Sequence, residues 1–384
     1  MPKLVFITSR FPYPLEKGDK LRAFFFIKEL SKNYEVVLIS LSDKKIEKKQ
    51  FQKIEEICAK VYCLQLNKAT IFLNMLFGFF SSKPFQVHYF YSYFKHIQIT
   101  KILEKEIPDH IFCQLIRVSE YVKNYHECPK TIDYMDALSK GMERRKEIAP
   151  FTKKWLFNME YNRLLNYERL VFDYFEHKLM ISEQDSKYVL HDQKKSIKVI
   201  PNGIDDSFFI KPNVKPQFDI VFVGNLSYAP NIDAVEYLLN KILPATNFTC
   251  LISGASPSKY LRNKISKMKN VSLWADVKDI KVSYCSARVF VAPLFIGTGL
   301  QNKLLEAMSL GVPCITTTLV NNSLQARDGV HLEIANSSSE FIQKINNLLL
   351  NEEKSLAIAK EATKFIKENY SWEKSIKLYI DSME

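Results

Sequence analysis

Paired cysteines and metal-binding spacings are missing from this 384-residue sequence. Its seven cysteines are scattered, none forms a Cys-x-x-Cys pair, and several lie in apolar runs such as Ile111-Phe112-Cys113. The histidines form no His-x-x-x-His pair, and no Asp-x-Asp occurs. These absences argue against a disulfide framework and a metal centre, and they favour buried thiols in a reducing compartment. We therefore predict no metal site and no bound cofactor.

Long apolar runs are also missing. No stretch approaches the roughly 18 uncharged apolar residues that a membrane-spanning helix needs. The N-terminus opens with a strand-like run over residues 3–8, without the basic, apolar and small-residue succession of a signal peptide. We expect a cytoplasmic protein, either free or bound at the inner face of the membrane.

Charge is unevenly distributed along the chain, whose formal net charge is +12. Residues 1–200 carry 34 Lys and Arg against 24 Asp and Glu, whereas residues 201–384 carry 20 against 18. A basic first half suits an anionic partner such as a membrane surface or a phosphorylated acceptor, and a merely solvated basic surface explains it equally well. No recognised nucleic-acid motif occurs, so we predict no nucleic-acid partner.

One segment of the first half is rich in aromatic and aliphatic side chains. It covers residues 71–80 and continues to 89–91, and Lys68, Lys83 and Lys95 flank or interrupt it. Such a stretch can lie in a bilayer interface and bring the protein to an anionic membrane and a lipid-linked acceptor. Packing in the core is the alternative interpretation.

Two series of alternating strands and helices follow each other. The predicted strands of the first series are residues 4–8, 35–40, 61–66, 110–114, 130–134 and 178–181. Those of the second series are residues 219–223, 249–253, 271–274, 289–292 and 314–317. This alternation predicts an α/β fold with two Rossmann-like, doubly wound domains. Because ligands bind at the carboxyl ends of such strands, we expect the two domains to face each other across an interdomain cleft.

The turn Pro201-Asn202-Gly203 is the predicted junction between the domains. We predict an N-terminal domain over residues 1–200, which binds the acceptor, and a C-terminal domain over 201–370, which binds the donor. The amphipathic tail over residues 371–384 is expected to form a helix that packs back on the first domain.

The segment from Pro293 to Met308 has the features of an anion-binding turn. A strand runs into a loop containing Gly297 and Gly299, and the loop runs into a helix that carries Lys303 in its first turn. Glycine lets the backbone approach a ligand, while the helix N-terminus presents N–H groups and a partial positive charge to a phosphate.

Glu306 lies three residues after Lys303, so both side chains can share one face of this helix. A carboxylate cannot help to hold phosphate, but it can accept two hydrogen bonds from a vicinal diol such as ribose. Taken alone, a Gly-x-Gly before a helix is a weak signal, and a plain surface salt bridge between Lys303 and Glu306 is the alternative interpretation.

The wider string resembles the donor-binding signature of the retaining glycosyltransferases of the glycosyl transferases group 1 type, which have the GT-B fold. Glu306-Ala307-Met308-Ser309-Leu310-Gly311-Val312-Pro313 is similar to their Glu-Ala-Met-x-x-Gly-x-Pro. Residues 6–22, 199–205 and 222–235 are similar to three further segments of the family. The order and spacing of these segments hold across nearly the whole chain.

Within that family the closest resemblance is to a bacterial branch associated with exopolysaccharide synthesis. Its pattern is matched by residues 299–303, by Asp133-Tyr134-Met135-Asp136 and by residues 160–168. The resemblance implies transfer of a hexose-like sugar from a nucleoside-diphosphate donor to a glycan or lipid-linked acceptor, with retained configuration and without a metal.

The resemblance also implies roles for particular residues. Lys303 is predicted to stabilise charge on the leaving diphosphate, and Arg117 and Asp136 are predicted to act with it in catalysis. For Arg117 a structural salt bridge, and for Asp136 helix capping, are equally good interpretations. The predicted donor-binding residues are Gly18, Gly224, Asn225, Tyr228, Asn231, Val277, Gly297, Thr298, Gly299, Leu300, Gln301, Asn302, Lys303 and Glu306.

Two positions depart from the family pattern. Thr298 stands eight residues before Glu306, where the family often has a second carboxylate that grips the donor sugar. After Gly224 no basic residue occurs before Lys241, although the family often places an arginine and a lysine there. Two alternatives therefore stay open at this point, a sugar-nucleotide epimerase or hydrolase of the same fold and an inactive sugar-nucleotide-binding protein.

Overall fold

The structure is a computed structural model that describes residues 1–296 and 300–383. Its contacts divide the chain into two compact units, of which the first comprises Met1–Pro201 and Trp372–Glu384 and the second comprises Asn202–Ser371. Each unit contains one parallel sheet with helices, which confirms the predicted α/β class with two Rossmann-like units. Among the described residues no helix is both long and apolar enough to cross a membrane.

The sheet of the first unit has seven parallel strands in the order β3-β2-β1-β4-β5-β6-β7. The strands are β1 (Lys3–Thr8), β2 (Glu35–Ser42), β3 (Lys60–Gln65), β4 (His110–Gln114), β5 (Lys130–Met135), β6 (His177–Met180) and β7 (Lys198–Val199). Strands β1 and β4 are buried along most of their length, as expected for a parallel sheet with both faces covered.

Helices of the first unit connect these strands, and the last one comes from the C-terminus of the chain. They are α1 (Gly18–Leu30), α2 (Lys48–Glu55), α3 (Lys68–Gly78), α4 (Phe85–Phe90), α5 (Tyr93–Glu106), α6 (Leu138–Ile148), α7 (Phe151–Phe172), α8 (Glu183–Ser186) and α16 (Trp372–Asp381). Helix α16 packs on α1, where the Trp372 ring stacks on Phe25 at a centroid distance of 4.9 Å.

The second unit repeats this architecture with six parallel strands in the order β10-β9-β8-β11-β12-β13. The strands are β8 (Phe218–Val223), β9 (Cys250–Gly254), β10 (Val271–Ala275), β11 (Ala287–Ala292), β12 (Cys314–Thr316) and β13 (Glu333–Ile334). The helices are α9 (Ala229–Tyr237), α10 (Lys259–Ile265), α11 (Ile280–Cys285), α12 (Asn302–Ser309), α13 (Thr318–Leu324), α14 (Ser338–Leu350) and α15 (Glu352–Asn369).

In both units the strand order reverses next to the first strand, between β1 and β4 and between β8 and β11. Such a reversal leaves a crevice at the carboxyl ends of the two strands, and this is where doubly wound sheets bind ligands. The segments singled out in the sequence follow these strands directly. Sheet topology therefore decides which of them become neighbours.

The sequence prediction missed two strands. Strands β7 and β13 are two residues long, too short to carry an alternation or a buried run of their own. They form because an existing sheet edge offers unpaired backbone groups to the passing chain.

A buried ion pair joins helix α1 to strand β5 in the first unit. Arg22 of α1 and Asp133 of β5 have fully buried side chains, and the Arg22 Nε donates to Asp133 Oδ2 at 2.6 Å. The Arg22 Nη1 also donates to the carbonyl of Ile200, at the end of the unit's main segment. Because each charge lies in a low-dielectric interior, removing one partner leaves the other uncompensated.

We expect Arg22→Met to lower the free energy of unfolding of the first unit by about 3–5 kcal/mol, because it leaves the buried Asp133 carboxylate without its ion-pair partner. The measurement is urea unfolding followed by tryptophan fluorescence in a Trp274→Phe background. The other two tryptophans, Trp155 and Trp372, both lie in the first unit. The double variant Arg22→Met/Asp133→Leu should recover part of the lost free energy of unfolding. A loss in the double variant equal to the sum of the losses in the two single variants would contradict this account.

Candidate functional site

In the second unit, the site is built on the two strands that flank the reversal. Strand β8 ends at Val223 and is followed by Gly224 and Asn225, and β11 is the strand that precedes helix α12 in the chain. The buried face of α12 is apolar, with Leu304 and Leu305 among its members, and Gly311 ends the turn after it with a φ of +64°. Lys303 and Glu306 lie outside that buried face.

Lys303 occupies a largely dry position at the start of α12. Its ammonium donates a hydrogen bond to the Asn231 Oδ1 and lies over the ring of Phe222, 5.0 Å from the centroid. Burial lowers the pKa of Lys303 to about 7, although the nearby Glu306 carboxylate acts in the opposite direction. An anion that reached this ammonium would supply the charge partner that the site lacks.

Asn231 sets the direction of the Lys303 side chain. The Asn231 Nδ2 donates to the carbonyl of Asn225 at 2.9 Å, so its Oδ1 is left to accept from the lysine. This packing requires glycine at 224, because a Cβ there would lie 2.8 Å from the Asn231 Nδ2. Gly254 is equally constrained, since its Cβ would lie 1.7 Å from the Gly224 carbonyl oxygen.

Glu306 lies one turn after Lys303 and is half-buried. Its Oε2 accepts a hydrogen bond of 2.7 Å from the hydroxyl of Tyr284. Burial raises the pKa of Glu306 to about 7, against the opposing effects of the Tyr284 hydrogen bond and the Lys303 charge. In the part of the chain that the structure describes, no salt bridge joins Lys303 to Glu306, so the plain salt-bridge interpretation does not hold.

The N-terminus of α12 is tied to the start of the second unit. Helix α12 begins at Asn302, whose Oδ1 accepts from the Asn202 Nδ2 at 3.1 Å, and Gln301 is the N-cap residue rather than a first-turn residue. The Gln301 side chain does not cap the helix. Because Asn302 and Lys303 are the first two residues of α12, their backbone N–H groups have no acceptor within the helix itself, and groups of this kind can bind an anion beside Lys303.

The other predicted donor residues have mixed positions. Tyr228 immediately precedes α9 and is 47% exposed, Val277 is half-buried just after β10, and Leu300 is buried. Gly297, Thr298 and Gly299 lie outside the described residues. Contact of any of these residues with a donor stays a prediction.

In the first unit, two arginines share one carboxylate at the carboxyl ends of β1 and β4. The Asp19 Oδ2 accepts from Arg10 Nη1 at 2.6 Å and lies 3.7 Å from Arg117 Nη1. Arg117 also donates twice to the Gln86 Oε1. Burial and the neighbouring Arg10 lower the pKa of Arg117 to about 10. The salt-bridge interpretation of Arg117 is thus confirmed, and the two guanidinium groups exceed the one carboxylate between them.

Gly18 is the first residue of α1 and is exposed, and a Cβ there would meet no atom within 4 Å. The N-cap residue of α1 is Lys17, so Asp19 pairs with the arginines instead of capping the helix.

Asp136 directly follows β5, after Met135, whose backbone φ is +63°. It does not cap helix α6, because the N-cap position belongs to Ala137. Burial and the carboxylate of Asp185 raise the pKa of Asp136 to about 7, so near neutral pH it can either hold or release a proton. Nearby, the buried Glu168 accepts from the backbone and hydroxyl of Ser139, and burial raises its pKa to about 7 as well.

Sequence patterns did not indicate four residues that shape these sites. They are Tyr284, which bonds to Glu306, Gln86, which holds Arg117, Asp185, which lies beside Asp136, and Asn202 in its role toward Asn302. Each lies between 22 and 100 positions from its partner or in a separate element, so only the fold brings the pair together. Among the described residues, no group of three or more His, Cys, Asp or Glu side chains could hold a metal ion.

Comparison with known proteins gives a family match in the second unit. Residues 217–351 match the model described as Glycosyl transferases group 1, a range that contains Asn231, Lys303 and Glu306. Over 401 aligned residues the chain is 25% identical to an uncharacterized 44.6 kDa protein in the cps region of Klebsiella pneumoniae, covering 97% of this chain and 98% of that protein.

Solved structures with the same fold extend over the whole chain. Sucrose-phosphate synthase from Thermosynechococcus elongatus superposes with a TM-score of 0.74 at 12% identity, covering 100% of this chain and 99% of that one. Anabaena HepE in complex with UDP and glucose superposes with a TM-score of 0.69 at 14% identity, with coverage of 100% and 99%. The predicted GT-B fold is confirmed.

We expect the Lys303 ammonium to titrate with a midpoint near pH 7, because burial lowers its pKa. NMR of the protein with ¹³C-dimethylated lysines measures this midpoint, and the Lys303→Arg variant assigns the resonance. The change Glu306→Gln should lower the midpoint further, since it removes the charge that favours the ammonium.

Lys264 is a suitable internal control, because its hydrogen bond with Glu236 raises its pKa. A Lys303 resonance that titrates together with Lys264 would contradict the dry environment assigned to it.

Proposed function

Because residues 217–351 match the glycosyl transferases group 1 model, we propose that this GT-B protein is a retaining glycosyltransferase. It moves a sugar from a nucleoside-diphosphate donor to a glycan or lipid-linked acceptor in bacterial surface polysaccharide synthesis. The observation that carries the proposal is the start of helix α12, where Lys303, the backbone N–H groups of the first turn and Glu306 follow one another closely. This combination suits a diphosphate joined to a ribose.

The diphosphate is assigned to Lys303 and the N-terminus of α12. When the sugar leaves, negative charge grows on the phosphate oxygens, and a preorganised cation beside helix N–H groups stabilises it. The site holds Lys303 in place through Asn231, so little reorganisation is needed. We propose that these groups supply the charge that a divalent metal supplies elsewhere, so that the enzyme needs neither metal nor bound cofactor.

The ribose is assigned to Glu306. A half-buried carboxylate favours a ligand that offers it two hydroxyls, as a vicinal diol does. A ligand without the diol would leave the charge without hydrogen-bond donors, which is costly. Support for a uridine nucleotide comes from HepE, which was solved with UDP, and the polysaccharide context is supported by the relative in the cps region.

The acceptor side is assigned to the first unit. In the reaction the C1–O bond to the diphosphate breaks, a new bond forms between C1 and the acceptor oxygen, and the acceptor hydroxyl loses its proton. Asp136 is the candidate to accept a hydrogen bond from this hydroxyl, because near pH 7 it can also take the proton. Arg117 and Arg10 are candidates for holding an anionic group of the acceptor. Retention rests on the resemblance of residues 306–313 to the family signature.

We expect a nucleoside diphosphate to bind the wild type and to bind Lys303→Met about 10- to 100-fold more weakly, because a charge-assisted contact to phosphate is lost. The measurement is isothermal titration calorimetry with UDP, GDP, ADP and CDP. Wild-type affinity should peak near pH 7, because Lys303 loses its charge above that pH and Glu306 loses its charge below it.

Lys264→Met is the matched control, since it removes a partly buried lysine of the second unit that lies in a different ion pair. It should bind the nucleotide as the wild type does. If Lys303→Met and Glu306→Gln both retain wild-type affinity, the donor site has been misplaced.

A membrane surface is the second proposed partner, and helix α3 supports it. Phe72, Phe77 and Phe80 are exposed by 64%, 69% and 94%, so these residues do not follow the core interpretation. By contrast, Tyr89 and Tyr91 pack on the core, so they are excluded from the proposed membrane contact. Arg163 of α7 holds this end of α3 by donating to the Gly78 and Phe79 carbonyls.

Helix α7 also carries exposed aromatic residues. Phe151 and Trp155 near its start are 90% and 59% exposed, and Lys153 and Lys154 lie between them in the sequence. Exposed aromatic rings next to lysines fit the interface of an anionic bilayer. Such binding would hold the enzyme beside a lipid-linked acceptor.

We expect the protein to co-sediment at low salt with vesicles containing phosphatidylglycerol and not with pure phosphatidylcholine. The double variant Phe77→Ser/Phe80→Ser should partition at least about tenfold more weakly, because two phenyl groups no longer leave water. The matched control is Leu350→Ser/Leu356→Ser, which changes two exposed leucines of the second unit and should bind as the wild type does. Absence of wild-type binding to the anionic vesicles would exclude the membrane partner.

A further inference from the structure

Tyr284 connects the interior of the second unit to the Glu306 carboxylate. It lies on helix α11, whose contacts are with β8, β9 and β11, and its side chain is completely buried. Its ring lies 5.5 Å from that of Phe290, centroid to centroid. The hydroxyl therefore has a fixed position, and it donates to the Glu306 Oε2 at 2.7 Å.

The two carboxylate oxygens of Glu306 have different surroundings. In the described part of the chain, Tyr284 is the one group that donates a hydrogen bond to this carboxylate, and it engages only Oε2. Glu306 itself is half-buried, whereas Tyr284 is fully enclosed. The carboxylate is thus anchored from the inside through one oxygen, while no described group donates to Oε1, which can accept bonds from a ligand.

A buried tyrosine hydroxyl needs an acceptor, so the bond could serve stability alone. Another buried tyrosine of the second unit shows how such a hydroxyl can find an acceptor. The buried Tyr370 donates to the backbone carbonyl of Leu324 at 2.6 Å, which is a neutral acceptor that is present in any such fold. Tyr284 instead donates to an ionisable side chain, that of Glu306, which lies one helical turn from Lys303. Lys303 is the residue that we assign to the diphosphate of the nucleotide.

We propose that Tyr284 is a positioning residue for the donor ribose, fixing the Glu306 carboxylate in the orientation in which it accepts hydrogen bonds from the two ribose hydroxyls. The inference rests on the proposed function, in which Glu306 binds the ribose. Without the tyrosine hydroxyl, the carboxylate keeps its place but can rotate about its terminal torsion, and each productive orientation is then populated for less of the time.

The test is Tyr284→Phe, which removes one hydroxyl and keeps the ring. Each of UDP, GDP, ADP and CDP is titrated by calorimetry together with its 2′,3′-dideoxy counterpart. The wild type should prefer the ribonucleotide by about 10- to 100-fold, the value of hydrogen bonds to a charged acceptor. In Tyr284→Phe this preference should fall about tenfold, while affinity for the dideoxynucleotide stays within about twofold of the wild type.

Two controls separate positioning from stability. Tyr370→Phe removes another buried tyrosine hydroxyl of the same unit and should leave the preference for ribose unchanged. In a Glu306→Gln background, Tyr284→Phe should cause no further loss of that preference, because both changes act through one carboxylate.

The pH dependence of binding gives a further readout of the bond between Tyr284 and Glu306. The Tyr284 hydrogen bond lowers the pKa of Glu306, so its removal should shift the acid limb of ribonucleotide binding to higher pH.

The outcomes are distinguishable. If Tyr284→Phe keeps the full wild-type preference for the ribonucleotide and the same acid limb, the positioning role is overturned and the bond is structural. If the wild type binds ribonucleotides and dideoxynucleotides equally, or binds no nucleotide, the assignment of Glu306 to ribose in the proposed function fails instead. A thermal unfolding scan of each variant, compared with Tyr370→Phe, identifies a loss of affinity that comes from unfolding.

Discussion

The desolvation of Lys303 is the constraint on which the site of the second unit depends. An ammonium in a largely dry position is unfavourable unless a neighbour compensates it, and here the protein supplies an amide oxygen, an aromatic face and a carboxylate one turn away without a direct ion pair. The site is therefore incompletely neutralised. A diphosphate would complete it, and we therefore propose that Lys303 takes the place of the two basic residues that the family often has after Gly224.

Parallel topology gives this lysine its neighbours. Strands β8 and β11 lie side by side although more than 60 residues separate them, and the reversal of strand order leaves their carboxyl ends open to a ligand. Asn231 reaches Lys303 only because Gly224, which follows β8, and Gly254, at the end of β9, allow these two segments to approach closely. The first unit uses the same principle, since Arg10, Arg117 and Asp136 follow strands β1, β4 and β5.

Much of this molecule could be predicted from its sequence. The alternation of apolar runs indicated nearly all strands of both sheets, because strands buried on both faces must be continuously apolar. The segment from Pro293 to Met308 led us to predict a donor site there, because helix N-termini and glycines bind phosphate through backbone groups that are local in sequence. The two-residue strands β7 and β13 were missed, since pairing at a sheet edge depends on the neighbouring strand and leaves no local pattern.

The sequence by itself determined the α/β architecture, the family signature and the chemistry available at Lys303 and Glu306, because these depend on residue type and short spacing. Tertiary structure alone decided what those side chains touch. It paired Lys303 with Asn231 instead of Glu306, placed Tyr284 behind the carboxylate, and set Asp136 beside Asp185 and not at a helix cap. The physical reason is that burial and hydrogen-bond partners come from distant segments. Burial by these segments shifts the pKa values of Lys303, Glu306 and Asp136 toward 7, a change that no local pattern contains.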